Sequence, residues 1–260
     1  MAQSGTAQDW KSCSARYPGS NPGVGDYLKY HNMISTKTSL LKRIADSIGI
    51  NKRFSRRGRD FVDKNPKTIV SPVDATLFCH GDIDDKGNII SKHGKVVPLT
   101  RLIGKYATKF KGGMYLNLYL SPKNKHYFVL PYDGTIKYIQ KNDGRALIPT
   151  IIGLDNIFGN QTWFSKATLR NASIGIVIDT GKFSYALIAV GSLNVNNITV
   201  TCNAGKKYRK GDYVGHFAVG STVILCFDKS LKKNSELLIK NDEAIYIGGR
   251  IMKIKPLRQS

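Results

Sequence analysis

The feature that most constrains this fold is a long series of short segments rich in Val, Ile, Tyr, Phe and Thr, which begins at Thr68 and continues towards the C-terminus. Gly, Asn, Asp and Pro separate these segments, as they separate strands that are joined by turns. The pattern predicts a mainly β fold of the α+β class, with an antiparallel, sandwich-like or barrel-like β domain. One short helix is predicted near residues 99–106.

Two of these segments share a sequence pattern. Pro72–Leu77 reads PVDATL and Pro131–Ile136 reads PYDGTI, so each has Pro, then Asp two positions later, then a small residue, Thr and an aliphatic residue. A pattern that recurs in this way indicates an internal duplication, although six residues are a short match.

The chain before the β domain divides into two parts. Residues 1–25 are rich in Ser, Gly, Pro and Gln, and are predicted to be a flexible arm. Residues 26–67 are predicted to be a helical, basic segment that precedes the β-rich domain of residues 68–260. Apolar residues recur at roughly helical spacing in this segment, at Leu40, Leu41, Ile44 and Ile48.

The helical segment ends in a run of cations. Lys52–Arg59 holds five basic residues in eight positions, and three of them are Arg53, Arg56 and Arg57. A basic amphipathic segment of this kind is typical of a surface that faces anionic lipid. The alternative, a solvated helix and loop packed on the main domain, is equally compatible with the sequence.

Net charge narrows the range of partners. The chain has 40 Lys and Arg against 18 Asp and Glu, a formal net charge of +22, and such a charge attracts polyanions. Nucleic acid is not favoured, because the aromatic residues follow strand periodicity and form no stacking platform among the basic residues.

Other sequence features bear on metals, thiols and membranes. The four cysteines show no CxxC pair and no metal-type spacing with the five histidines, so no metal site and no disulfide framework are predicted. Cys79 and Cys226 lie in apolar runs and are predicted to be core residues. The N-terminus has no signal-peptide pattern, and no window approaches 18 apolar residues. The expected location is therefore peripheral, on the cytoplasmic side of a membrane.

Gly220-Ser221 is the candidate site of covalent chemistry. Taken alone, this dipeptide is typical of a turn that precedes a buried strand. Its context resembles the phosphatidylserine decarboxylase proenzyme family, whose landmarks occur here in family order. FAVGSTVILCF resembles the family's LGST self-cleavage motif, SPVDATLFCHGDI its SPxDG segment, and LYLSPKNKHYFVLPYDGTI its YLSPxDYHRxHxPxDG segment. RFSRRGR resembles the FFxRxL signature more weakly.

The resemblance implies a self-processing decarboxylase. Ser221 would attack the carbonyl of Gly220, a residue without a side chain to hinder the attack, and the chain would be cut between them. Ser221 would then become a pyruvoyl prosthetic group, which acts as an electron sink without a bound cofactor. The implied substrate is the phospholipid phosphatidylserine at a membrane surface. The implied partners are the chain's own fragment of residues 221–260 and, as a further option, a second copy in a homodimer.

The resemblance also assigns roles to particular residues. Asp74 and Ser221 match the Asp and Ser of the family's Asp-His-Ser triad, and His126 matches the histidine that donates a proton to the substrate's α-carbon. Val129 stands where the family has the histidine of the triad. Further departures from the family pattern are Ala75, Asn124 and the run Arg170-Asn171-Ala172-Ser173.

The missing histidine leaves two interpretations open. His126 or another nearby group, such as His216, replaces the lost base. Alternatively, the chain is a divergent homologue that does not cleave and acts as a basic lipid-binding or nucleic-acid-binding protein. Apart from His126, the histidines have no motif support and are expected to be surface or packing residues: His31, His80, His93 and His216.

Overall fold

The computed structural model describes residues 34–35, 62–90, 96–121, 124–144, 148, 163–192, 198–217 and 221–255. The arm predicted for residues 1–25 and the basic run Lys52–Arg59 lie outside these residues. The described residues Ile34–Ser35 fall inside the segment predicted to be helical, yet they form a strand, because their backbones pair with Val200 and Thr199. The apolar positions on which the helix was predicted lie outside the described residues.

Short strands make up most of the described chain. The strands are β1 (Ile34–Ser35), β2 (Thr68–Val70), β3 (Ala75–Asp82), β4 (Asn88–Ile90), β5 (Val96–Pro98), β6 (Met114–Leu120), β7 (Tyr127–Val129), β8 (Gly134–Asn142), β9 (Ser173–Asp179), β10 (Ser184–Gly191), β11 (Ile198–Val200), β12 (Lys207–Tyr208), β13 (Tyr213–Phe217), β14 (Ser221–Phe227), β15 (Ser235–Leu237), β16 (Ala244–Ile245) and β17 (Arg250–Ile254). The helices are α1 (Thr100–Ile103), which continues as a 3₁₀ helix (Gly104–Phe110), α2 (Trp163–Arg170) and α3 (Lys229–Lys233). The short helix predicted near residues 99–106 is confirmed.

The strands form four antiparallel sheets. The largest has eight strands in the order β12-β8-β9-β10-β14-β6-β3-β16, and smaller sheets have the orders β1-β11-β13-β7, β15-β17-β2 and β4-β5. The predicted antiparallel, mainly β architecture is confirmed. The large sheet ends in two separate edge strands, β12 and β16, so it is an open sheet rather than a closed barrel.

The large sheet is covered on both faces, which explains why its central strands are apolar at nearly every position. One face packs against the four-stranded and three-stranded sheets through residues such as Leu187 and Leu225. The other face packs against α1, the 3₁₀ helix and the β4-β5 hairpin through residues such as Ile188. Cys79 and Cys226 lie in this second cluster, as the sequence predicts for core residues.

The duplicated sequence pattern is visible as a structural duplication. The N–H of Val70 donates to the carbonyl of Pro131 (3.1 Å), and the N–H of Val129 donates to the carbonyl of Pro72 (2.9 Å). The two copies therefore cross each other and exchange equivalent backbone hydrogen bonds. Such reciprocity is what an approximate internal twofold axis between two related halves produces.

The equivalence extends well beyond the two short patterns. One half, named the β7 half, consists of β7, β8, β11, β12 and β13, and the other, named the β2 half, consists of β2, β3, β15, β16 and β17. The order β11-β13-β7 corresponds to β15-β17-β2, and the pair β12-β8 corresponds to β16-β3. Each half has a register shift at the same place, after Tyr213 in one and after Arg250 in the other.

Candidate active site

Ser221 is the first residue of β14, a central strand of the large sheet. Its backbone pairs with Gly191 at the end of β10 on one side and with Leu120 at the end of β6 on the other. Pairing on both sides fixes where the chain enters the strand. This end of the large sheet, where β14 begins and β6 ends, is named the site end. Gly220 lies outside the described residues.

Asp74 lies at the site end, immediately before β3. Thr76 of β3 pairs with Tyr119 of β6, and β6 also pairs with β14. One strand, β6, therefore lies between the start of β3, next to Asp74, and the start of β14 at Ser221. Two strand spacings place the backbones of Asp74 and Ser221 about 10 Å apart. Asp74 is buried, and its Oδ1 accepts the N–H of Ile247 at 2.8 Å. The carboxylate thus ties the start of β3 to the loop before β17.

His126 reaches the same end from the loop between β6 and β7. Its carbonyl accepts the N–H of Phe217 at 2.7 Å, and Phe217 precedes Ser221 by four residues, a span of at most about 14 Å. The side chain is fully buried. Burial lowers the pKa of His126 to about 4, against the opposing effect of a hydrogen bond with the backbone of Asn124. The imidazole is therefore neutral at pH 7.

Asn124 closes the turn between β6 and His126. Its Oδ1 accepts both the N–H of Ser121 (2.8 Å) and the Ser121 hydroxyl (2.6 Å). These are the bonds with which an amide or a carboxylate closes a turn. The turn carries the chain from the end of β6 towards His126, so its shape does not require an acid.

Val129 occupies a packed, apolar position. It is 3% exposed, pairs with Tyr213, and lies in a small cluster with Tyr127, Tyr213 and Ile247. Ile247 is also the residue whose N–H binds Asp74. Val129 is therefore next to the loop that Asp74 holds, and its side chain carries no titratable atom.

Tyr213, a member of this cluster, forms a pair with the half-buried His216. The hydroxyl of Tyr213 is 2.5 Å from Nδ1 of His216, and the two rings are stacked with an interplanar angle of 18°. A β-bulge at Val214 makes this pairing, because the extra residue turns His216 to the same side of the strand as Tyr213. The sequence predicted a surface or packing role for His216, and plain strand alternation gives no sign of the bulge.

Asn171, which follows α2, braces the strand beside Ser221. Its Nδ2 donates to the carbonyls of Gly191 (2.8 Å) and Ile148 (2.7 Å), and its Oδ1 accepts the N–H of Ile148 (2.9 Å). Gly191 is the residue that pairs with Ser221. A buried amide with every partner satisfied rigidifies its surroundings, so Asn171 holds the neighbour of the predicted cleavage residue in place.

The structure thus brings the backbones of Asp74, His126 and Ser221 to one end of the large sheet. The predicted membrane-facing residues Arg53, Arg56 and Arg57 lie outside the described residues. Among the residues that the structure describes, no group of three or more His, Cys, Asp or Glu side chains could hold a metal ion. The described helices are all too short or too polar to cross a bilayer.

Comparison with known proteins first defines the class. A protein of Halalkalibacterium halodurans is 31% identical over 169 residues, which cover 65% of this chain and 62% of that relative. Relatives from Anoxybacillus flavithermus and Brevibacillus brevis are each 28% identical, and cover 88% and 82% of this chain and 83% and 81% of their own length. All three are named phosphatidylserine decarboxylase proenzyme, so the chain is similar to decarboxylase proenzymes of phospholipid biosynthesis.

The family model described as phosphatidylserine decarboxylase matches residues 50–253. This span is well over half of the chain. The protein therefore belongs to the phosphatidylserine decarboxylase family, as its motifs predict.

Proposed function

We propose that this chain is a proenzyme that cuts itself between Gly220 and Ser221 and then converts phosphatidylserine to phosphatidylethanolamine. The observation that carries the proposal is the position of Ser221 at the start of a central strand, at the same end of the sheet as Asp74 and His126. Membership of the family supplies the reaction class, a carboxy-lyase.

The residues at the site end suit a pyruvoyl group. This group would be built from the atoms of Ser221 and needs no separate binding pocket. Its ketone would withdraw electrons from the substrate's α-carbon, so that carbon dioxide can leave. Pairing of β14 with both β10 and β6 would keep the new end of the chain in position after the cut.

His126 would donate the proton that replaces carbon dioxide. Its burial makes the neutral imidazole stable, and the same burial makes the imidazolium a strong acid. The negative charges of a phosphatidylserine headgroup beside the ring would favour the protonated form and load the proton. Asp74 would hold the loop of Ile247 in place beside the cluster that contains Val129.

The fragment of residues 221–260 would remain part of the protein after the cut. It contains β14, which pairs along its whole length with β10 and β6, together with β16 and β17, which pair with β3 and β2. We propose that the large and small chains stay associated through these strands.

Intact mass of the purified protein tests self-cleavage. The expected result is two chains, residues 1–220 and 221–260, in place of one chain of 28.8 kDa. The small chain should resist Edman sequencing, because a pyruvoyl group has no amine. Ser221→Ala should stay intact and should release no carbon dioxide from phosphatidylserine vesicles, whereas a matched Ser235→Ala variant, on β15, should behave as the wild type.

A second candidate function is favoured by the apolar packing of Val129, which leaves no histidine at the expected position. In this case the chain would be a non-cleaving homologue that binds lipid or nucleic acid through its basic surface. A wild-type protein that stays at 28.8 kDa through long incubation, with no decarboxylation, would establish this alternative and reject the enzyme.

We also propose that residues 26–67 attach the β domain of residues 68–260 to the cytoplasmic side of an anionic membrane, with residues 1–25 as an arm. Each cation near such a surface contributes about 1 kcal/mol. Charge reversal at Arg53, Arg56 and Arg57 should therefore release the protein from anionic vesicles in a co-sedimentation assay. Reversal of three exposed lysines elsewhere is the control: Lys105, Lys109 and Lys111. Equal loss in both variants would reject a dedicated membrane segment.

A further inference from the structure

The two halves of the molecule differ sharply at the Tyr213–His216 pair. In the β2 half the equivalent positions are Arg250, which pairs with Val70, and Lys253, which pairs with Thr68. Arg250 binds the buried Asp63, with Nε and Oδ2 3.1 Å apart. The β2 half therefore has Arg250 bound to a buried carboxylate and an exposed Lys253, whereas the β7 half has a hydrogen-bonded phenol and imidazole.

The Tyr213–His216 pair lies beside the position of the missing histidine. Tyr213 pairs with Val129 across the sheet, and His216 pairs with Tyr127. Tyr213, Tyr127 and Val129 pack together with Ile247, the residue held by Asp74. The imidazole of His216 thus lies on the neighbouring strand, in contact with Tyr213 at the edge of the cluster that contains Val129.

The pair also lies on the strand that leads to the predicted cut. His216 precedes Ser221 by five residues, and β13 runs towards it. The residue between them in the described chain, Phe217, is bonded to the carbonyl of His126 at the site end. At most about 18 Å of extended chain therefore separates the backbones of His216 and Ser221.

We propose that His216, oriented by Tyr213, is the proton acceptor for self-cleavage of this chain, in place of the histidine missing at Val129. This proposal rests on the proposed function. Because the Tyr213 hydroxyl engages Nδ1, proton transfer uses Nε2 of His216. Nε2 takes the hydroxyl proton of Ser221 as Oγ bonds to the carbonyl carbon of Gly220. The carbon–nitrogen bond then breaks, and the released nitrogen of Ser221 takes the proton back from the imidazolium, which leaves the two parts of the chain joined by an ester. Loss of the α-proton of Ser221 and breaking of its Cβ–Oγ bond would then release residues 1–220 as a carboxylic acid. Water would hydrolyse the remaining imine to the pyruvoyl group, with loss of ammonia.

The test measures the rate of cleavage of freshly made full-length protein by gel and intact mass. His216→Gln should slow cleavage about a hundredfold, the usual contribution of a general base. Tyr213→Phe should slow it about tenfold, because the ring keeps its packing but loses its orienting bond. The matched control is His80→Gln, which removes an exposed histidine of β3 and should leave the rate unchanged.

Two rescue experiments separate catalysis from loss of structure. Added imidazole should restore cleavage of His216→Gly at least tenfold, and the second substitution Val129→His should restore cleavage of His216→Gln. If His216 had only a structural role, neither added imidazole nor a histidine at position 129 would restore cleavage. If the wild type cleaves and His216→Gln cleaves at the same rate, the proposal for His216 is wrong. It is also wrong if the His216 variants are slow but neither imidazole nor Val129→His restores cleavage. In both cases the proposed function itself still stands. A wild type that never cleaves rejects the proposed function and this inference with it.

Discussion

The β7 half and the β2 half of this protein share their strand order and their backbone hydrogen bonds correspond, but they carry different side chains. Asp74 accepts the N–H of Ile247 at 2.8 Å, and the equivalent Asp133 accepts the N–H of Lys210 at 2.7 Å. The hydrogen bond of Asp74 is therefore a property of the duplicated fold and is not by itself a sign of catalysis. The comparison separates contacts that build the fold from contacts that one half alone possesses.

The differences concentrate around the site end. The buried His126 precedes β7, whereas the equivalent residue before β2 is the exposed Lys67. Lys67 lines a cavity of about 160 Å³ together with Phe183 and Leu231. Val129 corresponds to Val70, and both are buried and donate equivalent backbone hydrogen bonds. The residue type and the contacts of Val129 are therefore explained by the fold alone. Any catalytic role in this region must belong to neighbouring side chains.

The largest expected effect tests whether the two halves support the core equally. Phe128→Ala should lower the free energy of unfolding by about 3–5 kcal/mol and Ile69→Ala, at the equivalent position, by about 2–5 kcal/mol, because both side chains are fully buried. Urea denaturation in the Ser221→Ala background measures both. A loss confined to one variant would mean that only one half contributes to the common core.

A second prediction concerns acid. An unfolded histidine has a pKa near 6.5, whereas His126 in the folded protein has a pKa of about 4. Between these values only the unfolded chain binds the proton, so stability should fall as the pH falls from about 6.5 to about 4, by on the order of 3 kcal/mol. The free energy of unfolding of His126→Leu and of Ser221→Ala protein, measured across this pH range, gives the contribution of His126. Lys67→Gln, in the β2 half, should leave the pH profile unchanged, and a parallel loss in His126→Leu would contradict the prediction.

The third prediction compares the two aspartates directly. Asp74→Ala and Asp133→Ala each leave a backbone N–H without its acceptor and should each cost about 1–3 kcal/mol. Only Asp74→Ala should also slow self-cleavage, since Asp133 lies at the other end of the large sheet, where β8 begins. Thermal melts give the first quantity and gel assays the second. Equal effects on cleavage would make Asp74 a structural residue.

The smallest expected effect concerns the turn before His126. Asn124→Asp replaces the amide by a carboxylate but keeps an oxygen that accepts from Ser121. Stability should change by less than about 0.5 kcal/mol, and the cleavage rate should stay the same. Faster cleavage would show that the added charge matters to the chemistry rather than to the turn.

Much of this architecture could be predicted from local sequence. Alternating β-type segments predicted the strands, and the repeated pattern at Pro72 and Pro131 predicted the duplication. The β-bulge at Val214 could not be predicted, because YVGHF reads as ordinary alternation, and with it the pairing of Tyr213 and His216 was missed. The partner of Asp74 could not be predicted either, since Ile247 is distant in sequence and only the tertiary fold brings it near. In the N-terminal segment predicted to be helical, the described residues Ile34–Ser35 form a strand, because the tertiary fold supplies β11 as their pairing partner.

The crossing of the two halves has a consequence for refolding. Strands β2 and β3 from the start of the domain pair with β17 and β16 from its end, so the β2 half is not a continuous piece of chain. In the uncut protein, folding closes these contacts as loops within one molecule. In a protein cut before β14, the same contacts must form between two molecules, and the midpoint of unfolding then depends on protein concentration. After cleavage, the unfolded protein would therefore refold less readily than the intact chain. In the intact chain, the covalent link would keep β14–β17 close to the strands with which they pair.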